Sequence, residues 1–143
     1  MNRIKIVGFS LLCGLSGAVA ADCNSTALTQ SELEGLLPGK TVCASYNGDQ
    51  WQEFHSGTSG GANNLIDYKK GKDHPVDPSE PVGSWSIGTD GKVTYDYGSG
   101  GKYSYTVHSN GGDSYSFCGD SPAPALINAT LVGGNNGCGL QNP

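Results

Sequence analysis

The sequence predicts an all-β domain: a small antiparallel meander that closes into a seven- or eight-stranded barrel, with one short N-terminal helix. Three observations carry this reading. Between Val82 and Cys118 the chain holds four short runs with period-two alternation, separated by TDGK, GSGGK and NGGD. Trp85 and Ile87, then Val93, Tyr95 and Tyr97, then Tyr103, Tyr105 and Val107, then Tyr115 and Phe117 share one parity, while the other parity is mostly Ser and Thr. Strand side chains alternate between faces, so these runs form a sheet with an aromatic face and a hydroxyl face. Second, Asp90-Gly91 and the glycine-rich tips suit hairpin turns. Third, further runs flank the meander with no break in composition, so a second domain is not predicted. A sheet this large protects its edges by closing or by folding over itself. Sequential hairpins favour the barrel; a Greek-key β-sandwich is the alternative.

The N-terminus reads as an export signal. Arg3 and Lys5 precede the apolar run Ile6–Leu15, which passes through small residues to Ala18-Val19-Ala20. A positive flank, a short apolar core and a small-x-small exit predict a secretory signal peptide over residues 1–20, with a single domain over 21–143. The run is short for a membrane anchor, so no membrane insertion is expected after cleavage. The whole chain has a net charge of −5, and the mature part keeps 6 basic against 13 acidic side chains, a net −7. That balance argues against nucleic acid or an anionic membrane surface as partner. The expected product is an exported, monomeric protein, periplasmic or extracellular.

Cys13 lies inside the signal, leaving Cys23, Cys43, Cys118 and Cys138. Four cysteines in a small exported domain predict two disulfides with three possible connectivities. The nested pairing Cys43–Cys118 with Cys23–Cys138 is favoured, because Cys43 lies on the first strand and Cys118 ends the meander. The pairing Cys23–Cys43 with Cys118–Cys138 is the alternative. No C-x-x-C or Cys–His spacing supports a metal site, and no cofactor is expected.

Thr29-Gln30-Ser31-Glu32 has the spacing of a capping box before Leu33, Leu36 and Leu37, and Pro38-Gly39 ends the segment. A short helix over 30–37 follows, its leucines plugging or flanking the sheet. Strands are expected at Lys40–Tyr46 and Asp49–His55, joined by Asn47-Gly48, and a third over 64–69. Residues 70–81 carry three prolines and mixed charge, which reads as a surface excursion rather than an interior strand. A last strand is expected over 125–132.

Catalytic signals are thin. No H-E-x-x-H, G-x-S-x-G or Walker loop is present, and no catalytic residue is assigned. His108 continues the hydroxyl face and reads as solvated. His74, with Asp73 and Asp77 near it in sequence, is a weak cation candidate. Glu53 and His55 share a strand face with Trp51, and Asp67 and Lys69 lie on the expected neighbouring strand. A hydrolase could use Glu53, His55 and Asp67 for acid–base work, but cross-strand ion pairing on a water-facing side is the favoured reading.

The tyrosines are more informative. Buried tyrosines need partners for their hydroxyls, so the aromatic face is expected to line a wet or ligand-holding interior or to present a docking surface. Trp51, Tyr68, Trp85, Tyr95, Tyr97, Tyr103 and Tyr105 are the candidate ligand-binding residues. The leading expectation is a non-enzymatic binding protein for a small molecule or glycan. An acidic inhibitor or adaptor of an exported basic protein is the alternative. N-x-S/T sequons begin at Asn24 and Asn128.

Gly83-Ser84-Trp85 resembles the G-x-W of lipocalin-like barrels, although there the triplet lies on the first strand and here it is mid-chain. The resemblance implies barrel architecture and no residue roles. In size, export signal and paired cysteines the chain also resembles small bacterial periplasmic barrels that inhibit lysozyme, without their binding motifs.

Overall fold

The computed structural model describes residues 22–47, 49–67 and 80–138. It is a closed barrel of eight antiparallel strands taken in chain order, with one short α-helix. The helix α1 spans Gln30–Leu36. The strands are β1 (Lys40–Tyr46), β2 (Asp49–His55), β3 (Leu65–Asp67), β4 (Glu80–Ile87), β5 (Val93–Asp96), β6 (Lys102–Gly111), β7 (Ser114–Gly119) and β8 (Ile127–Gly133). Closure is made by β1, which pairs with β2 on one side and with β8 on the other, Cys43 opposing Gln52 and Thr130. Eight strands enclose a lumen that side chains can fill or that can hold one small ligand.

The helix begins as its sequence dictates. The Thr29 N–H donates to the Glu32 carboxylate at 2.7 Å and the Glu32 N–H to the Thr29 hydroxyl at 3.4 Å, a complete capping box. Leu33 and Leu37 are fully buried and close one end of the barrel over Leu65, Trp85, Val93, Val107 and Leu131. Burying two leucines in this way stabilises by roughly 2–3 kcal/mol each. The other end, where β1, β3, β5 and β7 finish, is the mouth.

Among the described residues, two strand starts differ from the sequence expectation by more than one residue. Strand β4 starts at Glu80, inside the segment read as an excursion, and includes Pro81. The β3–β4 register shifts between Leu65 and Ile66, so the ladder is interrupted where proline offers no donor. Strand β8 starts at Ile127 rather than at 125, because the Ala125 carbonyl accepts from Gly119 N–H at 3.3 Å and closes the preceding loop. Gly83 is needed where β4 meets β5: a Cβ there would lie 2.2 Å from the Asp96 carbonyl oxygen. Tyr68, Lys69, Asp73, His74 and Asp77 fall outside the described residues.

The disulfides follow neither connectivity weighed from the sequence. Cys23 bonds Cys118 and Cys43 bonds Cys138. The favoured Cys43–Cys118 link is ruled out by the barrel itself. Both residues point outward, but β8 lies between β1 and β7, and Cys43 faces Thr130, which faces Ser114, four residues from Cys118. Two strand spacings place the Cα atoms beyond the ~7 Å that a disulfide can bridge. Instead each bond pins a terminal strap to the outer wall. The N-terminal strap covers β6, with Leu28 N–H donating to the Val107 carbonyl at 2.7 Å and His108 Nδ1–H to the Ser25 carbonyl at 2.8 Å. His108 is therefore buried rather than solvated. The C-terminal strap covers β2, with Cys138 N–H donating to the Gln52 side-chain oxygen at 2.7 Å. Two disulfides fit an oxidising compartment. Among the described residues no helix is long and apolar enough to cross a membrane.

Candidate ligand cavity

The lumen divides into a packed base and an open upper chamber. Above the leucine plug, aromatic rings meet edge to face: His55 with Trp85 at 4.9 Å and with Tyr95 at 5.5 Å, Tyr95 with Tyr105 at 6.1 Å, and Tyr105 with Phe117 at 6.1 Å. Such contacts are favoured by the ring quadrupoles. Tyr95, Tyr105 and Phe117 form the chamber floor, while His55 and Trp85 lie beneath it.

The chamber has a volume of about 790 Å³, within the range of small-molecule sites. Tyr95, Tyr97, Tyr103 and Tyr105 line it, as the shared parity of the runs predicts, and Trp51 joins them from β2. Trp85 does not: it is 1 % exposed and belongs to the base. Tyr68 lies outside the described residues. Tyr46, not among the residues expected at the site, stacks on Trp51 at 6.4 Å at the mouth. Its parity with Val42 and Ala44 was the signal. Pro122 and Pro124 of the β7–β8 loop complete the rim.

Glu53, His55 and Asp67 do not face water on the outer wall. Glu53 is 6 % exposed and His55 fully buried, because they share parity with Trp51 and that parity is the inside of the barrel. Register places Glu53 opposite Asp67 and Asp67 opposite Glu80, so three carboxylates stand in a row across β2, β3 and β4, and all three line the chamber. Among the described residues no Lys or Arg lines it. The exposed ion pairs Lys92–Asp120 and Lys102–Asp96 lie elsewhere. No group of three or more His, Cys, Asp or Glu among the described residues is disposed to hold a metal ion.

Burial raises the Glu53 pKa to about 7, with the Tyr97 hydrogen bond opposing and Asp67 adding to the rise. The Tyr97 hydroxyl donates to Glu53 Oε1 at 2.5 Å. Tyr97 and Tyr95 are themselves pushed well above the ordinary phenol value, first by burial and then by the Glu53 charge. Tyr105 is pushed up to about 12, by burial first. His55 is held down to about 4 by burial, against backbone acceptors at Lys40 and Glu53. Its Nδ1 lies 3.3 Å from the Lys40 carbonyl, which can only accept, so Nδ1 carries the proton and Nε2 accepts from the Tyr95 hydroxyl at 2.9 Å. Both ring nitrogens are thus engaged below the floor, and His55 orients Tyr95 instead of meeting a ligand.

Comparison with family models, curated proteins and solved structures finds no match. The chamber's own chemistry is the basis for any functional reading.

Proposed function

We propose that this is an exported binding protein whose barrel takes one small organic molecule through the open end. The observation that carries the reading is the chamber of about 790 Å³ closed below by Tyr95, Tyr105 and Phe117. An eight-stranded barrel can fill its lumen with side chains; here the lower half is filled and the upper half is open. Tyrosine and tryptophan offer large rigid contact area with hydroxyls at the edge, suited to a flat or partly apolar ligand. The two disulfides and the N-terminal signal pattern are consistent with export.

Titrating the isotopically labelled protein with a small-molecule extract of the host's external medium tests this by amide shift mapping. The expected shifts cluster at Trp51, Glu53, Tyr97 and Tyr103. Shifts confined to outward residues such as Ser104 and Thr106 would replace an interior site with surface recognition.

A second reading, a hydrolase, draws on the buried Glu53 carboxyl titrating near neutrality beside Asp67. In that reading Glu53 is the proton donor, and His55, sealed under Tyr95, has no part in the chemistry. Turnover of glycoside or ester substrates that persists in E53Q would remove it.

A further inference from the structure

We infer that the chamber selects an organic cation: a protonated amine carried on a flat, apolar body. This rests on the reading of the barrel as a small-molecule binder and names the class of its ligand. The chamber is chemically two-sided. Strands β2 to β4 contribute Glu53, Asp67 and Glu80, while Tyr105, Phe117 and Ile127 come from β6, β7 and β8. Following the strand order, the acidic strands lie across the closed barrel from the apolar ones.

Glu53 is buried on the chamber wall, and a carboxylate taken out of water is costly unless compensated. A cation held in the chamber would offset that cost. Tyr97 gives Glu53 one hydrogen bond, at Oε1, and that bond fixes the carboxyl's position on the chamber wall. Tyr97 and Tyr103 are a tilted pair 6.0 Å apart, and Trp51 stacks with Tyr46 at the rim. Faces of Trp and Tyr attract ammonium groups within about 6 Å. An anion would meet the buried Glu53 carboxylate on the chamber wall. A neutral apolar molecule would leave Glu53 with nothing gained.

Three probes that share one ring and differ in charge test the inference: 2-phenylethylammonium, 2-phenylethanol and phenylacetate, titrated calorimetrically at pH 7.5 and followed by amide shifts at Trp51 and Tyr97. The ammonium is expected to bind at least tenfold more tightly than the alcohol, and phenylacetate weakest. E53Q keeps an acceptor for Tyr97 and should cut the ammonium-to-alcohol ratio about tenfold. E80Q, at an exposed position, should cut it two- to threefold and serves if E53Q does not fold. E34Q, on the exposed face of α1, should leave it unchanged. Equal binding of ammonium and alcohol with interior shifts overturns the charge preference but leaves the binding reading standing. A preference for phenylacetate does the same. Absence of interior shifts with all three probes overturns both.

Discussion

The Tyr97 hydroxyl reaches across the lumen from the end of β5 to donate to Glu53 Oε1 on β2 at 2.5 Å. Strands β3 and β4 separate the two along the wall, so this bond ties one side of the chamber to the other. It also lowers the pKa that burial raises. Removing the donor with Y97F should therefore move the Glu53 pKa above about 7 and cost roughly 1–3 kcal/mol, the usual penalty for a buried acceptor left without its partner. Carbon-detected titration of the Glu53 carboxyl reads the shift, and a downward movement would refute the assigned direction of that bond.

Stability should respond to pH through two opposing groups. Glu53 titrates near 7 in the folded chain against 4.5 unfolded. Its contribution is fully present below about 4.5 and is lost as pH rises through 7. His55 titrates near 4 when folded against 6.5 unfolded, so its contribution is present above about 6.5 and is lost as pH falls through 4. Between about 4.5 and 6.5 the slopes oppose, each group carrying on the order of 3 kcal/mol. E53Q should therefore gain stability with rising pH across that window, and H55Q should lose it. Urea unfolding at half-unit pH intervals measures both, and parallel profiles for the two variants would contradict the buried states assigned here.

A bound cation should favour ionised Glu53. Binding of 2-phenylethylammonium near pH 6.5 should release a fraction of a proton and strengthen as pH rises from 6 to 8. The groups facing Glu53 are Asp67, Tyr95 and Tyr97, with Glu80 beyond Asp67 on the same row. Burial has moved Glu53 to near neutrality. Calorimetry in buffers of different ionisation enthalpy detects the release, which should vanish in E53Q. Release unchanged in E53Q would assign it to another group.

The two disulfides close loops of the same sequence separation, 95 residues, so their loop-entropy contributions are equal. Any difference between C23A/C118A and C43A/C138A then reports on the straps they hold. The N-terminal strap carries the Leu28–Val107 and Ser25–His108 bonds and leads into the plugging helix, whereas the C-terminal strap caps Gln52. Each pair should cost about 2–5 kcal/mol, the N-terminal pair more. A larger loss for C43A/C138A in urea unfolding would show that the C-terminal strap holds the barrel closed.

The leucine plug is separable from the chamber. L33A removes a fully buried side chain and should cost about 2–5 kcal/mol, while probe affinity in the folded fraction stays within twofold. A parallel loss of affinity would mean that base and chamber are one cooperative unit.

Period-two alternation made the barrel legible, because turns and parity are local properties. Tyr95, Tyr97, Tyr103 and Tyr105 could be placed on one surface from spacing alone, and closure decided that this surface is the inside and brings Trp51 to it. Glu53 and His55 lie inside because parity outweighs charge: the Trp51-x-Glu53-x-His55 pattern puts them beside an aromatic. Disulfide pairing was out of reach for a different reason. It depends on which outer strands the straps cross, and residues 22–29 and 134–138 have no periodicity from which to read a path. The carboxylate row needed the β3–β4 register, which a bulge beside Pro81 shifts.

Native mass spectrometry of the protein purified from its own host, compared with A44W, tests the barrel most directly as a container. Ala44 lines the chamber beside Trp51, so a tryptophan there would fill the space a ligand needs. The expected result is a small-molecule adduct on the wild-type protein, released by denaturation and absent from a folded A44W. No adduct, or one retained equally by A44W, would contradict binding inside the barrel.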